Sequence, residues 1–198
     1  MISITKLIRT AAVAGMATAA LALPFGSSAS AAPAAPAAQA APAVAQAPAL
    51  SVAAKRYMAK AKGSVCINAH VENIGWQGWR CGKGNWAAAV GTVGKSLRIE
   101  ALSIATHKTG GICARGHVQN VGWQKWQCTK KSWPVTVGTT GEALRLEAVK
   151  LSAGTKICAQ GHVQNIGWQK WSCSKWNKPA IAGTVGQSLR LEALRVHV

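Results

Sequence analysis

The chain has 198 residues and a formal net charge of +18, with 23 Lys and Arg set against five acids that are all Glu. Without Asp, carboxylate catalysis has little to draw on, and the positive field favours anionic partners such as wall polymers, acidic lipid surfaces or nucleic acid. Charge of this size also serves solubility alone.

Residues 1–32 begin with Lys6 and Arg9, continue through the apolar run Thr10 to Gly26, and end in small residues with cleavage sites at Ala31 or Ala32. This order reads as an export signal. The apolar run falls short of the ~20 residues of a spanning helix, so no membrane span is expected once the signal is removed. Residues 33–62 are rich in Ala and Pro (Pro33, Pro36, Pro42, Pro48) and then basic in "KRYMAKAKG". They read as a disordered, semi-rigid linker.

Residues 63–198 repeat themselves three times, as units 63–109, 110–154 and 155–198. Self-similarity at this period indicates a modular architecture. Within a unit, Val65, Ile67, Ala69 and Val71 alternate with polar residues, as do Leu97, Ile99 and Ala101 with Arg98 and Glu100. Both stretches read as half-buried strands, although Leu, Arg, Glu and Ala also form helices. The expected class is all-β: a pseudo-threefold β-trefoil, or alternatively a β-solenoid-like stack.

Phrases such as "HVQNIGWQKW" and "GTVGQSLRLEAL" of the third unit, with close variants in the other two, resemble the clostridial hydrophobic W (ChW) repeat of secreted Gram-positive bacterial proteins. The resemblance implies an extracellular attachment role, toward polysaccharide or protein. The paired cysteines are not part of that pattern.

Those cysteines lie 15 positions apart in each unit, and in an exported chain they most simply pair as Cys66–Cys81, Cys113–Cys128 and Cys158–Cys173. A zinc site is the rival, since a His follows each first Cys, but Cys-His-Cys lacks a fourth ligand; no metal and no cofactor are expected. Arg98 with Glu100, Arg145 with Glu147 and Arg190 with Glu192 stand two apart on a strand and read as structural ion pairs.

All nine Trp fall in the repeats. Trp76, Trp123 and Trp168 follow a turn glycine and read as core. Trp79, Trp126 and Trp171, together with Trp86, Trp133 and Trp176, are candidate stacking platforms. Gln77, Gln124 and Gln169, with Asn73, Asn120 and Asn165, supply the oriented donors and acceptors of a sugar site; His70, His117 and His162 are weaker candidates. The amides equally suit a role in satisfying turn backbone.

No nucleophile elbow, zinc-protease helix or phosphate loop is present, and only Glu72 and Glu142 lie outside the repeated strand. The expected function is therefore a non-enzymatic, monomeric, secreted or wall-associated protein that binds cell-wall or extracellular polysaccharide in several places at once. The alternative is a polycation that coats anionic polymers or membranes without a glycan site. Export argues against nucleic acid as a physiological partner.

Overall fold

The computed structural model describes residues 48–198; the expected export signal and most of the alanine–proline segment lie outside them. The linker reading as far as residue 62 needs correction, because Val52–Lys60 forms a helix, α1. Ser51 caps it, Oγ accepting from the Ala54 N–H at 3.2 Å. Nine residues make a marginal helix in water. Packing holds this one: Ala54 and Met58 bury against Cys66 and Ala105, with Leu50, Trp79 and Cys81 around them.

The first unit forms β1 (Ser64–Val71), β2 (Gly75–Trp76), β3 (Arg80–Lys83), β4 (Ala88–Gly91) and β5 (Ile99–His107). The second forms β6 (Ile112–Val118), β7 (Gly122–Trp123), β8 (Gln127–Thr129), β9 (Val135–Gly138) and β10 (Leu146–Ala153). The third forms β11 (Cys158–Val163), β12 (Gly167–Trp168), β13 (Ser172–Cys173), β14 (Ala180–Gly183) and β15 (Leu191–His197). The repeated L-R-x-E-A stretch is thus strand, not helix.

Each unit pairs its first and last long strands antiparallel, β1 with β5, β6 with β10 and β11 with β15. Two short strands share the other edge of β1, β6 and β11. The remaining strand comes from another unit: β9 pairs β5, β14 pairs β10, and β4 pairs β15. The exchange therefore runs from first unit to second to third and back to the first. An open solenoid row would leave its last unit apart from its first. The all-β, three-unit expectation holds, but the pairing draws three open sheets and no single closed barrel to support the trefoil form.

The inner faces meet in one core that includes Val65, Ile67, Leu102, Ile104, Leu146, Leu151, Ile157 and Leu194. Strict alternation misplaces one of these strands. The register between β1 and β5 shifts between His70 and Val71, whose partners are Ala101 and Ile99, so Glu100 is an extra residue. This β-bulge resets the parity and turns Ile99, Leu102 and Ile104 into the central cluster, while Ala101, also fully buried, pairs with His70 on the other face. Glu147 and Glu192 occupy the same bulge in their sheets.

Candidate functional site

The outer face of each sheet carries the polar residues of the repeat. Cys66 and Cys81 are direct cross-strand partners, as are Cys113 with Cys128 and Cys158 with Cys173. All three pairs are disulfide-bonded, and no free cysteine remains among the described residues. With both thiols consumed, no thiolate is left to bind a metal.

The bulge aims its Glu along this face. His162 Nδ1 and Glu192 Oε2 share a hydrogen bond at 3.0 Å. The corresponding atoms of His70 and Glu100, and of His117 and Glu147, lie 3.1 and 3.0 Å apart with poorer alignment. The other carboxylate oxygen meets Arg98, Arg145 or Arg190 at 2.9, 2.8 and 2.8 Å. In the first unit Arg98 also binds Glu72. Each imidazole meets Trp76, Trp123 or Trp168 edge-on, with centroids 5.5, 5.2 and 5.2 Å apart. In the third unit these contacts satisfy the buried Glu and its His together; in the first two the His Nδ1 stands beside the carboxylate without a formed hydrogen bond.

The glutamines have an equally local use. Gln77 Oε1 accepts the Gly91 N–H at 2.7 Å and its Nε2 donates to the Gly91 carbonyl at 3.2 Å. Gln124 clamps Gly138 and Gln169 clamps Gly183 in the same two-point way. These glycines are the first residue of each G-T-x-G turn, with φ between +93° and +99°. A Cβ on Gly138 would stand 2.2 Å from the Glu100 carbonyl oxygen, in the neighbouring unit. The next N–H, from Thr139, donates to that same oxygen at 3.0 Å. The Gly-Thr pair is therefore the joint between units, and the glutamine locks it. Asn73, Asn120 and Asn165 adopt φ near +60° in the exposed turn after the first strand. Asn tolerates that left-handed conformation better than most residues, which explains its place there.

The tryptophans fall into three groups. Trp76, Trp123 and Trp168 are half-buried and absent from the core cluster, so the core reading does not hold; each lies against an outer-face His instead. Trp86, Trp133 and Trp176 sit in loops and are 83, 67 and 92 % exposed. Lys131 Nζ lies 5.1 Å from the Trp133 centroid. Trp176 lines an open cleft of about 470 Å³ with Thr155, Lys156 and Lys175.

Trp79, Trp126 and Trp171 differ among themselves. Trp126 and Trp171 are 40 and 42 % exposed, whereas Trp79 is covered by the N-terminal segment and donates its Nε1–H to the Ala49 carbonyl at 3.0 Å. Trp171 packs edge-on against His197 at 4.8 Å. Burial pushes the His197 pKa below its usual 6.5, Lys156 adds to that effect, and a hydrogen bond with the Gly84 backbone opposes it.

Sequence reasoning missed the α1 cover and two cations on the second outer face, Arg115 and Lys150. Their positions within the repeat hold uncharged residues in the first unit, a difference visible in the sequence, but their proximity requires the strand register. Among the described residues, no helix is long and apolar enough to cross a membrane.

No curated protein and no solved structure matches the chain. A family model described as Clostridial hydrophobic W matches three segments, 70–107, 117–152 and 162–198, each running from the outer-face His through the joint to the closing strand. The matched segments make up more than half of the sequence and contain the His–Glu–Arg cluster, the Gln clamp and the Gly-Thr joint in every unit, and the chain belongs to the Clostridial hydrophobic W family.

Proposed function

We propose that this is an exported, non-enzymatic binding domain that holds a cell-wall or extracellular polysaccharide at several places at once. The observation that carries this reading is the exposure of Trp86, Trp133 and Trp176 in three equivalent loops. Indole faces left in water cost the fold apolar burial and suit stacking on sugar rings. Trp126 and Trp171, 40 and 42 % exposed, offer further indole area on two of the sheets. Basic side chains beside Trp133 and Trp176 would draw in an acidic polymer. Three disulfides suit an oxidising, extracellular compartment.

Three weak sites on one polymer gain from linkage, since each bound site raises the effective concentration for the next. The His and Gln residues of the outer faces serve this function indirectly, by holding the sheets and their joints. The decisive experiment is binding of the oxidised protein to fractionated wall polysaccharides across a salt series. Stacking predicts attachment that persists at 1 M salt and is lost in the combined Trp86→Ala, Trp133→Ala, Trp176→Ala variant. A simple polycation would detach at that salt, where the screening length is about 3 Å, and the triple variant would bind like the parent.

A further inference from the structure

The outer face of the second sheet carries a charge arrangement that the other two lack. Arg115 on β6 and Lys150 on β10 are direct cross-strand partners. The equivalent pairs are Asn68 with Ser103 in the first sheet and Gln160 with Arg195 in the third. Like charges opposite one another work against strand pairing. Both cations also crowd one ring: Lys150 Nζ is 4.4 Å and Arg115 Cζ 4.9 Å from the Trp123 centroid. Arg115 lies at the same time 5.0 Å from the Trp126 centroid, so one guanidinium contacts both rings.

The aromatic faces attract these cations without neutralising them. Neither cation has a carboxylate partner among the described residues, and Glu147, the bulge acid of this sheet, is engaged by His117 and Arg145. The Nε of Arg115 is buried and finds no acceptor among the described residues. A buried donor without an acceptor is costly, and like charges directly opposite on paired strands are destabilising. One oxyanion placed against Lys150 and the terminal nitrogens of Arg115 offsets the like-charge pairing, while Nε, closed to solvent, lies beyond its reach. The guanidinium fork suits a planar carboxylate or a phosphate, the ammonium acts as a point charge, and the indoles offer a surface for the ring that bears the acid.

We infer that the outer face of the second sheet, formed by Arg115, Lys150, Trp123 and Trp126, binds the oxyanion group of an acidic polymer, a carboxylate or a phosphate. This assignment rests on the polymer-binding proposal for the nature of the carrier and adds to it the chemical class of the group recognised. It also makes the three units unequal: the first outer face is covered by α1, the second takes an acid, and the third sets Arg195 opposite the uncharged Gln160 and 4.0 Å from Trp168.

The test is an NMR titration of the oxidised full chain with inorganic phosphate and, separately, with glucuronate, ionic strength being held constant with sodium chloride. The indole N–H signals of Trp123 and Trp126 report the site, and those of Trp168 and Trp171 serve as the internal comparison. The expected result is a saturable shift of the first pair at concentrations at least tenfold below any shift of the second. Arg115→Gln and Lys150→Ser place at each position the residue that another unit already carries there, which keeps the sheet foldable, and each should weaken the response at least tenfold. Response to phosphate alone identifies a phosphorylated polymer, and response to glucuronate alone a uronic-acid polymer. Either result, or both together, supports the site. The absence of a saturable response to both anions, or an Arg115→Gln variant that titrates like the parent, overturns it. Because the probes are monomers, lost polymer attachment with an intact titration would sink the polymer proposal and leave this site standing.

Discussion

Replacing Gln124 by Leu distinguishes a structural glutamine from a ligand-binding one. Gln124 accepts the Gly138 N–H at 2.7 Å and donates to the Gly138 carbonyl at 3.1 Å. Gly138 is buried, whereas the glycines clamped by Gln77 and Gln169 are partly accessible. Leu preserves bulk but strands a backbone donor where water cannot replace the amide, and such a loss costs about 1–3 kcal/mol. Some of that returns as added apolar burial, so a net loss of about 2 kcal/mol is expected. Gln77→Leu and Gln169→Leu should cost less, because water can reach Gly91 and Gly183. Urea denaturation monitored by tryptophan fluorescence measures this as a lower midpoint with an unchanged slope. Binding to wall polymer, measured well below the midpoint, should stay close to the parent value. A Gln124→Leu protein as stable as the parent but unable to bind would refute the clamp and restore the glutamine as a ligand contact.

Lys150→Ser removes the like-charge contact with Arg115 and, with it, a cation–π contact of similar size on Trp123, so the denaturation midpoint at low salt should move by less than about 1 kcal/mol equivalent; a larger loss would count against strain at that pair. Replacing Cys158 and Cys173 together by Ser opens a loop closed across 15 residues and should cost about 3 kcal/mol; equal midpoints for variant and oxidised parent would argue that the loop is constrained by other means. His197, lowered chiefly by burial, should titrate in NMR with a midpoint below 6.5. Since the unfolded chain then takes up this proton first, the group's contribution is fully present above pH 6.5 and is lost as the pH falls through the lower folded value; a midpoint at or above 6.5 would contradict the burial argument.

Much of the local structure was legible in the residues. The period-two pattern of Val65, Ile67, Ala69 and Val71 is a covalent property of an extended chain, whose side chains alternate, and β1 buries these four together. Identical cysteine spacing in the three units was enough to pair Cys66 with Cys81, because the short strands bring the two opposite one another. Arg98 and Glu100, two apart, meet for a related reason, although the bulge at Glu100 was not foreseen.

The candidate site was less legible, because each decisive partner is remote. Gln77 meets Gly91 from 14 residues away, and Trp79 meets Ala49 from 30. No spacing rule links such positions; the packed sheets bring them together. The same limit hid α1, whose composition resembles a linker and whose helix is held by an apolar face against the first sheet.

Alternation, cysteine spacing and self-similarity are written along the chain, and they carry the strands, the disulfides and the threefold repetition. Which of three nearly equal outer faces is covered, which one sets Arg115 against Lys150, and which tryptophans stay in water follow from packing alone. Those outcomes depend on strand register and on exchange between units, where a shift of one residue turns a side chain to the opposite face.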